Sequence, residues 1–194
     1  VLLLPGSRKN EIQHILPGML RTAEWLKARN INMSFVIPVH SDALRNVIEN
    51  IIQRTVSDHR TSQAIRISAG ETRRWLTYAG AGIAASGTIT VEAAIKGLPL
   101  VVVYRVNPVT YWLARRLVDV PFMAMPNLVA QTTVYDAFLQ KDFQPEKVGP
   151  ALERILPGNA EHEETREALK RIRDTLGGDI PASRNAAEAV LNEL

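Results

Sequence analysis

Short apolar runs alternate with longer amphipathic stretches through most of the chain. The runs are bounded by glycine, proline and polar residues, as buried strands are, and the stretches between them repeat apolar positions at helical spacing. This alternation predicts an α/β fold, with a parallel Rossmann-like sheet covered by helices on both faces. The predicted strands are 1–4, 33–39, 64–68, the run that ends at Ala85, 100–104 and 122–125.

The first predicted helix contains a proline within its apolar face. Pro17 lies inside an apolar face that runs from Ile12 to Ala23, and an internal proline removes a helix hydrogen bond. We therefore expect two helices, 10–16 and 17–28, rather than one rod. The polar run 54–62 is predicted to be a surface loop. The other predicted helices are 41–53, 71–79, 88–96, 107–118, 134–139, 145–156, 161–176 and 182–194, with a turn at 126–128.

Composition narrows the class of ligand. The chain has 194 residues, 46% of them hydrophobic, which is enough to bury a sizeable core. A formal charge of +3 and 6% aromatic residues do not favour nucleic-acid binding. Residues 1–118 carry 15 Lys and Arg against 7 Asp and Glu, whereas 119–194 carry 8 against 13. The basic part suits an anionic small molecule or an anionic membrane surface.

The turn Ser86-Gly87-Thr88 joins a predicted strand to a predicted helix. Ser86 and Thr88 are expected to cap that helix, Gly87 allows a ligand close to the backbone, and Gly97 ends the helix. A helix amino terminus favours an anion, so the turn is a candidate cradle for a phosphate or diphosphate. Glu92 lies one turn further along, where its carboxylate can accept hydrogen bonds from a ribose diol. The alternative is an ordinary βαβ unit whose glutamate faces water.

Several predicted strand ends bring turns to one edge of the sheet. Parallel α/β sheets bind ligands at the carboxyl ends of their strands, and residues 5–8, 86–88, 104–105 and 126–128 all lie at such ends. The histidines, by contrast, show no metal-ligand spacing and include no evident general base. We therefore predict no metal and no cofactor. The histidines are His14, His40, His59 and His162.

Several motifs follow one another in order from the first residue to the last. They are Leu4-Pro5-Gly6-Ser7-Arg8 with Glu11-Ile12, Ala85-Ser86-Gly87-Thr88 with Glu92-Ala93-Ala94, Val103-Tyr104-Arg105 with Pro108, 113–118, 126–130, and Ala182-Ser183 with Ala186-Ala187. Together they resemble lipid-A-disaccharide synthase, a glycosyltransferase family with the GT-B fold. The resemblance covers only the carboxyl-terminal, donor-binding half of the family's chain.

The resemblance implies a reaction and a place in the cell. The expected reaction transfers 2,3-diacylglucosamine from its UDP donor to a 2,3-diacylglucosamine 1-phosphate acceptor. The expected location is the cytoplasmic face of the inner membrane, with peripheral contact to anionic lipid, and a homodimer is left open. The chain opens on a strand without an initiator methionine, so we expect a fragment of a longer protein. The general base is expected in the missing amino-terminal half, and this chain alone is expected to be inactive.

The resemblance also assigns roles to single residues. Arg8 would neutralise phosphate charge as UDP departs, and Asn127 would lie near the sugar or phosphate; both are candidate catalytic residues. Glu92 would hold the ribose. The residues matched to the family's nucleotide- and diphosphate-binding positions are Ser7, Ser86, Gly87, Thr88, Glu92, Tyr104, Arg105 and Gln140.

The match departs from the family pattern at two positions. Thr132 stands where the family usually has a basic residue, and Ala137 stands where it has the glutamate of a Glu-Leu-Leu-Gln tetrad. Asp136 is a candidate to replace that carboxylate, although one residue of helix would turn it by about 100°. A cation missing beside a diphosphate would weaken donor binding or change the donor.

The domain organisation and two other functions complete the expectations. Residues 1–176 are expected to form the nucleotide-sugar-binding domain, and 177–194 a helix that packs on the missing half or on a partner chain. One alternative is another GT-B enzyme that acts on a UDP-sugar, of the peptidoglycan N-acetylglucosaminyltransferase or UDP-N-acetylglucosamine 2-epimerase type. The other is a nucleotide-binding or membrane-docking module without catalysis.

Overall fold

The architecture is a parallel sheet between two layers of helices, as the sequence predicts. The structure is a computed structural model that describes residues 1–29, 32–105 and 124–176. The predicted helices 107–118 and 182–194 lie outside these ranges. The sheet has six strands in the order β3-β2-β1-β4-β5-β6, and every neighbouring pair is parallel. The strands are β1 (Leu2–Leu4), β2 (Phe35–Val39), β3 (Ile65–Ala69), β4 (Gly82–Ala85), β5 (Leu100–Tyr104) and β6 (Ala137–Leu139).

The helices divide between the two faces of the sheet. One core cluster includes buried residues of α1 and α7, and the other includes buried residues of α5 and α8. No helix in the described part of the chain combines the length and apolar character that crossing a bilayer requires. The helices are α1 (Lys9–Ala28), α2 (Asp42–Thr55), α3 (His59–Ala64), α4 (Thr72–Tyr78), α5 (Thr88–Ile95), α6 (Met125–Ala130), α7 (Pro145–Arg154) and α8 (Ala160–Thr175).

The predicted break at Pro17 is wrong, because α1 is one helix from Lys9 to Ala28. Its apolar face is buried on both sides of the proline, including Ile12, Leu16 and Met19. Each such side chain contributes about 1.5–3 kcal/mol when it is fully buried, whereas an internal proline costs about 3 kcal/mol. The packing of the continuous face therefore outweighs the lost hydrogen bond.

The predicted loop 54–62 is wrong in its second half, where α3 begins at His59. Asp58 is the N-cap residue, and its carboxylate accepts hydrogen bonds from the Thr61 backbone N–H at 2.9 Å and from Thr61 Oγ1 at 2.7 Å. A short polar run with this cap forms a helix without apolar periodicity. His59, which the sequence places in a loop, therefore lies in the first turn of α3.

Two predictions between residues 122 and 139 are also wrong. Ala124 and Met125 are not a strand, and the expected turn at 126–128 lies inside α6, with Pro126 in its first turn, where proline is favoured. The expected helix 134–139 contains strand β6 instead. Short apolar runs do not distinguish strand from helix, and here the open edge of β5 decides the structure: Val102 N–H donates to Asp136 O at 2.8 Å.

Candidate functional site

A cleft opens where the strand order of the sheet reverses. From the neighbouring strands β1 and β4 the chain proceeds toward opposite edges, and Leu4 pairs with Ala84 in the parallel register. Their following loops separate at the carboxyl edge and leave a cleft of about 430 Å³. Such a reversal is where doubly wound α/β sheets bind nucleotides.

The loop after β4 forms one wall of the cleft. Ser86, Gly87 and Thr88 all line it, and Gly87 is the N-cap residue of α5 in place of the predicted Ser86 or Thr88. Gly87 has extended backbone angles, φ 161° and ψ −171°, and a Cβ built there meets no atom within 4 Å. The space over Gly87 is therefore open to a ligand at the amino end of α5, where the N–H groups of the first turn lack the i−4 partners of the helix interior.

This turn is fixed by hydrogen bonds on both of its sides. Ser86 N–H donates to Val103 O at 3.1 Å, which ties the turn to the end of β5. Thr90 Oγ1 donates to Gly87 O at 2.7 Å, which closes the turn against the first coil of α5. Because both ends are held, the backbone shape of the turn exists before any ligand binds.

The loop after β1 forms the opposite wall and already holds a carboxylate. Glu11 Oε2 accepts hydrogen bonds from the backbone N–H groups of Ser7, at 3.2 Å, and Arg8, at 3.3 Å. Glu11 Oε1 pairs with Arg8 Nη1 at 3.2 Å, although the Arg8 side chain is 83% exposed. Gly6 has φ +106°, and a Cβ there would lie 2.5 Å from Glu11 Oε2. The amino end of α1 is thus occupied by Glu11, and α5 provides the helix end at which an anion can bind.

The remaining walls come from strand ends to which the sequence analysis assigned no role. His40 follows β2 and Thr72 begins α4 after β3, and both line the cleft with the predicted Glu92. Their position after predicted strands was visible in the sequence, since parallel strands end at one edge. Glu11 was visible as part of a motif, but its contact with the Ser7 and Arg8 amides was not.

A side-chain network holds the loop that carries Thr72. Ser68 Oγ donates to Glu71 Oε2 at 2.6 Å and accepts a hydrogen bond from Trp75 Nε1 at 2.8 Å. The hydrogen bond from Ser68 is the main cause that lowers the pKa of Glu71, and Arg74 adds to it. Glu71 is therefore ionised at neutral pH and anchors the start of α4 beside the cleft.

Three predicted nucleotide-binding residues lie at the same edge of the sheet without lining this cleft. Tyr104 is the last residue of β5 and pairs in register with Leu139, the last residue of β6. Gln140 follows directly after β6, next to the end of β5. The Arg105 guanidinium stacks over the Phe143 ring, with its carbon 5.3 Å from the ring centroid. The structure thus gathers Ser7, Arg8, Ser86, Gly87, Thr88 and Glu92 in the cleft, and places Tyr104, Arg105 and Gln140 beside it.

Asn127, predicted to lie near the sugar or phosphate, is buried, and both polar atoms of its amide bond to the protein. Its Oδ1 accepts hydrogen bonds from the N–H groups of Val134, at 3.0 Å, and Tyr135, at 2.9 Å. Its Nδ2 donates to Tyr135 O at 2.8 Å. The side chain therefore fixes the segment that leads into β6, and we leave it out of the cleft.

Asp136, the candidate replacement for the family carboxylate, does not line the cleft. It precedes β6, at the amino edge of the sheet, and its carboxylate pairs with Arg154 at 2.7 Å. Ala137 is the first residue of β6, and Thr132 is exposed. Within residues 1–29, 32–105 and 124–176, no group of three or more His, Cys, Asp or Glu side chains could hold a metal ion.

Comparisons with known proteins agree on one family. A family model described as lipid-A-disaccharide synthetase matches residues 1–191. Similar proteins include the lipid-A-disaccharide synthases of Chromohalobacter salexigens, 35% identical over 97% of this chain and 47% of the relative, and of Anaeromyxobacter dehalogenans, 34% identical over 98% and 48%. The enzyme of Yersinia pseudotuberculosis is 33% identical over 97% of this chain and 46% of its own. The chain thus spans about half the length of these relatives.

The solved structures that the chain is similar to include one of a different enzyme. This is an alpha,alpha-trehalose 6-phosphate synthase from Burkholderia multivorans, with a TM-score of 0.44 and 14% sequence identity. The similarity covers all of this chain and 43% of the other.

Proposed function

Because the chain belongs to the lipid-A-disaccharide synthase family, we propose that it is the UDP-sugar-binding half of a glycosyltransferase that acts in lipid A biosynthesis. The proposed donor is UDP-2,3-diacylglucosamine and the proposed acceptor is 2,3-diacylglucosamine 1-phosphate. The observation that supports this most directly is the cleft at the strand-order reversal, lined by Ser86 to Thr88, Arg8 and Glu92. It combines an open helix amino terminus, a cation and a carboxylate, which suit a diphosphate joined to a ribose.

In this proposal, the diphosphate lies against the turn of Ser86, Gly87 and Thr88. The N–H groups at the start of α5 donate to phosphate oxygens, and the positive end of the helix dipole stabilises their charge. The carboxylate of Glu92 accepts hydrogen bonds from the ribose hydroxyls, since it lines the cleft one turn further along α5. Ser7 lies on the opposite wall, and Tyr104, Arg105 and Gln140 extend the nucleotide-binding edge.

Arg8 has the proposed role in the transfer step. When the bond between the sugar and the diphosphate breaks, negative charge grows on the departing UDP. A planar guanidinium stabilises that charge with paired hydrogen bonds, and this lowers the barrier because the charge is larger in the transition state than in the bound donor. No metal or cofactor is part of this proposal, because the arginine and the helix end supply the positive charge.

The acceptor is proposed to bind to the part of the relatives that this chain does not match, and the general base is proposed to be a residue of that part. A GT-B active site lies between two halves, one of which holds the donor. Contact with the cytoplasmic face of the inner membrane is also proposed, because both proposed substrates carry acyl chains. Assembly as a homodimer is an open part of the proposal.

The proposal is tested by titrating the 194-residue chain with UDP in an isothermal calorimeter, beside Gly87→Val. Because Gly87 has an extended backbone and open space over it, valine fits the fold, but it fills the position where the phosphate should lie. We expect UDP to bind the wild-type chain and Gly87→Val to lose at least tenfold in affinity, while its melting temperature falls by only about 2–4 °C because valine is a poorer N-cap residue than glycine. Ala28→Val, at an exposed position in the last turn of α1 that does not line the cleft, is the control for an added valine. Absence of UDP binding to the wild type, or equal affinity in Gly87→Val, would contradict the site.

A further inference from the structure

We propose that Glu11 is a positioning residue that holds the Arg8 guanidinium in the cleft before the nucleotide binds. This inference rests on the proposed function, because it concerns the phosphate end of the same cleft. Glu11 itself is not proposed to touch the ligand. It acts through Arg8, to which it is bound at 3.2 Å.

The Glu11 carboxylate uses its two oxygens for two different tasks. Oε2 accepts hydrogen bonds from the backbone N–H groups of Ser7 and Arg8, which fixes the loop. Oε1 accepts from Arg8 Nη1, which fixes the side chain that leaves that loop. The Glu11 carboxylate therefore holds both the backbone and the side chain of Arg8 in place.

This arrangement differs from an ordinary capping box. In that motif the N-cap Ser or Thr side chain accepts a hydrogen bond from the third helix residue, whose Glu or Gln side chain bonds back to the N-cap N–H. Here the N-cap residue is Arg8, and a guanidinium has no acceptor. The returned interaction is an ion pair instead, so the motif orients a charged side chain as well as closing the helix end.

Gly6 makes this arrangement possible. A Cβ at Gly6 would lie 2.5 Å from Glu11 Oε2 and 3.0 Å from Glu11 Cβ, so any other residue would displace the carboxylate from the loop. The approach of Glu11 to the loop therefore depends on a glycine two residues before Arg8.

The benefit of the ion pair lies in conformational entropy. The Arg8 side chain is 83% exposed, and a long exposed arginine samples many rotamers that must be given up when it contacts a phosphate. A side chain that Glu11 already holds in the cleft gives up fewer of them, so phosphate binds more tightly. The guanidinium has five N–H donors, so Arg8 keeps its bond to Glu11 through Nη1 while its other N–H groups donate to the phosphate.

The test compares UDP with uridine, which lacks the phosphates, in calorimetric titrations at low ionic strength. The proteins are the wild-type chain, Glu11→Gln, Arg8→Ala and the double variant. Glutamine keeps an amide oxygen for the Ser7 and Arg8 N–H groups, so the loop is retained, but it loses the charge that holds Arg8. Glu49→Gln is the matched control, because Glu49 forms an exposed pair with Arg45 on α2 and does not line the cleft.

We expect Glu11→Gln to weaken UDP binding about two- to fivefold, the range of an exposed ion pair, and to leave uridine binding unchanged. In the Arg8→Ala background the same change should have no further effect on UDP, and Glu49→Gln should have none in either case. Tighter UDP binding by Glu11→Gln, or an equal loss with Arg8 absent, would overturn the positioning role. Failure of the wild type to bind UDP would instead contradict the proposed function.

Discussion

At the residue scale, Asn127 separates a structural role from a ligand contact. We expect Asn127→Ala to lower the free energy of unfolding by about 2–4 kcal/mol, because it leaves buried backbone groups of Val134 and Tyr135 without partners. UDP affinity should remain near wild type when it is measured below the melting temperature. Urea unfolding and calorimetry provide the two readouts.

The control for this prediction is Asn50→Ala. Asn50 Nδ2 donates only to Asn46 O on the exposed face of α2, so its loss should change stability by less than about 0.5 kcal/mol. An Asn127→Ala variant that is as stable as the wild type but binds UDP weakly would return Asn127 to the ligand site, as the sequence first suggested.

The positions of residues were predictable where the backbone determines them. The turn at Ser86 to Thr88 and the position of Glu92 follow from a strand, a glycine and one helical turn. Asn127 follows a proline in the sequence like many turn residues, and nothing in that pattern shows that its amide is bonded to Tyr135, eight residues away. Such contacts are set by how the segments pack, and the sequence carries no local mark of them.

At the element scale, α3 should respond to pH through its cap. The hydrogen bond from Thr61 to Asp58 is the main cause that lowers the pKa of Asp58 below its ordinary value of 3.8. The ionised carboxylate therefore stabilises the folded chain above that value, and this contribution is lost as the pH falls through the lower, folded-state pKa. Asp58→Asn should be less stable than the wild type at neutral pH and should lose less melting temperature between about pH 5 and pH 3.

Circular dichroism melts of both proteins across this range provide the measurement. The pKa values of Glu71 and Asp142 are lowered too, so both proteins lose some stability in acid, and the difference between the curves isolates Asp58. Parallel curves would show that Asp58 is not ionised preferentially in the folded chain.

Elements with a long apolar face were predicted in type, and three short ones were not. The face of α1 and the apolar strand β5 carry enough buried side chains to fix their structure. The segments that became α3, α6 and β6 are short, and their structure depends on a cap, a proline in the first turn and an open strand edge respectively. The open edge of β5 is a property of neighbours in space, whereas the cap and the proline are local signals that the apolar pattern does not contain.

At the scale of the whole molecule, we expect the chain to bind UDP without transferring sugar. Catalysis needs the acceptor held about 3–3.5 Å from the reacting carbon, and in the proposed function the described cleft binds the donor alone. The assay is acceptor-dependent release of UDP from UDP-2,3-diacylglucosamine, with the Chromohalobacter salexigens relative as the active control. Turnover by the 194-residue chain at a rate near that of the relative would show that it holds the acceptor and the base itself.

The reversal of strand order determines where the sheet can separate when the molecule unfolds. Strands β1 to β3 come from residues 2–69 and strands β4 to β6 from residues 82–139, so within the sheet the two halves of the chain meet only along the seam between β1 and β4. The cleft straddles that seam. A nucleotide bound there as proposed contacts both parts of the sheet, so β1 and β4 separate only after the nucleotide dissociates. Nucleotide binding in the cleft and the free energy of unfolding of the sheet are then thermodynamically linked.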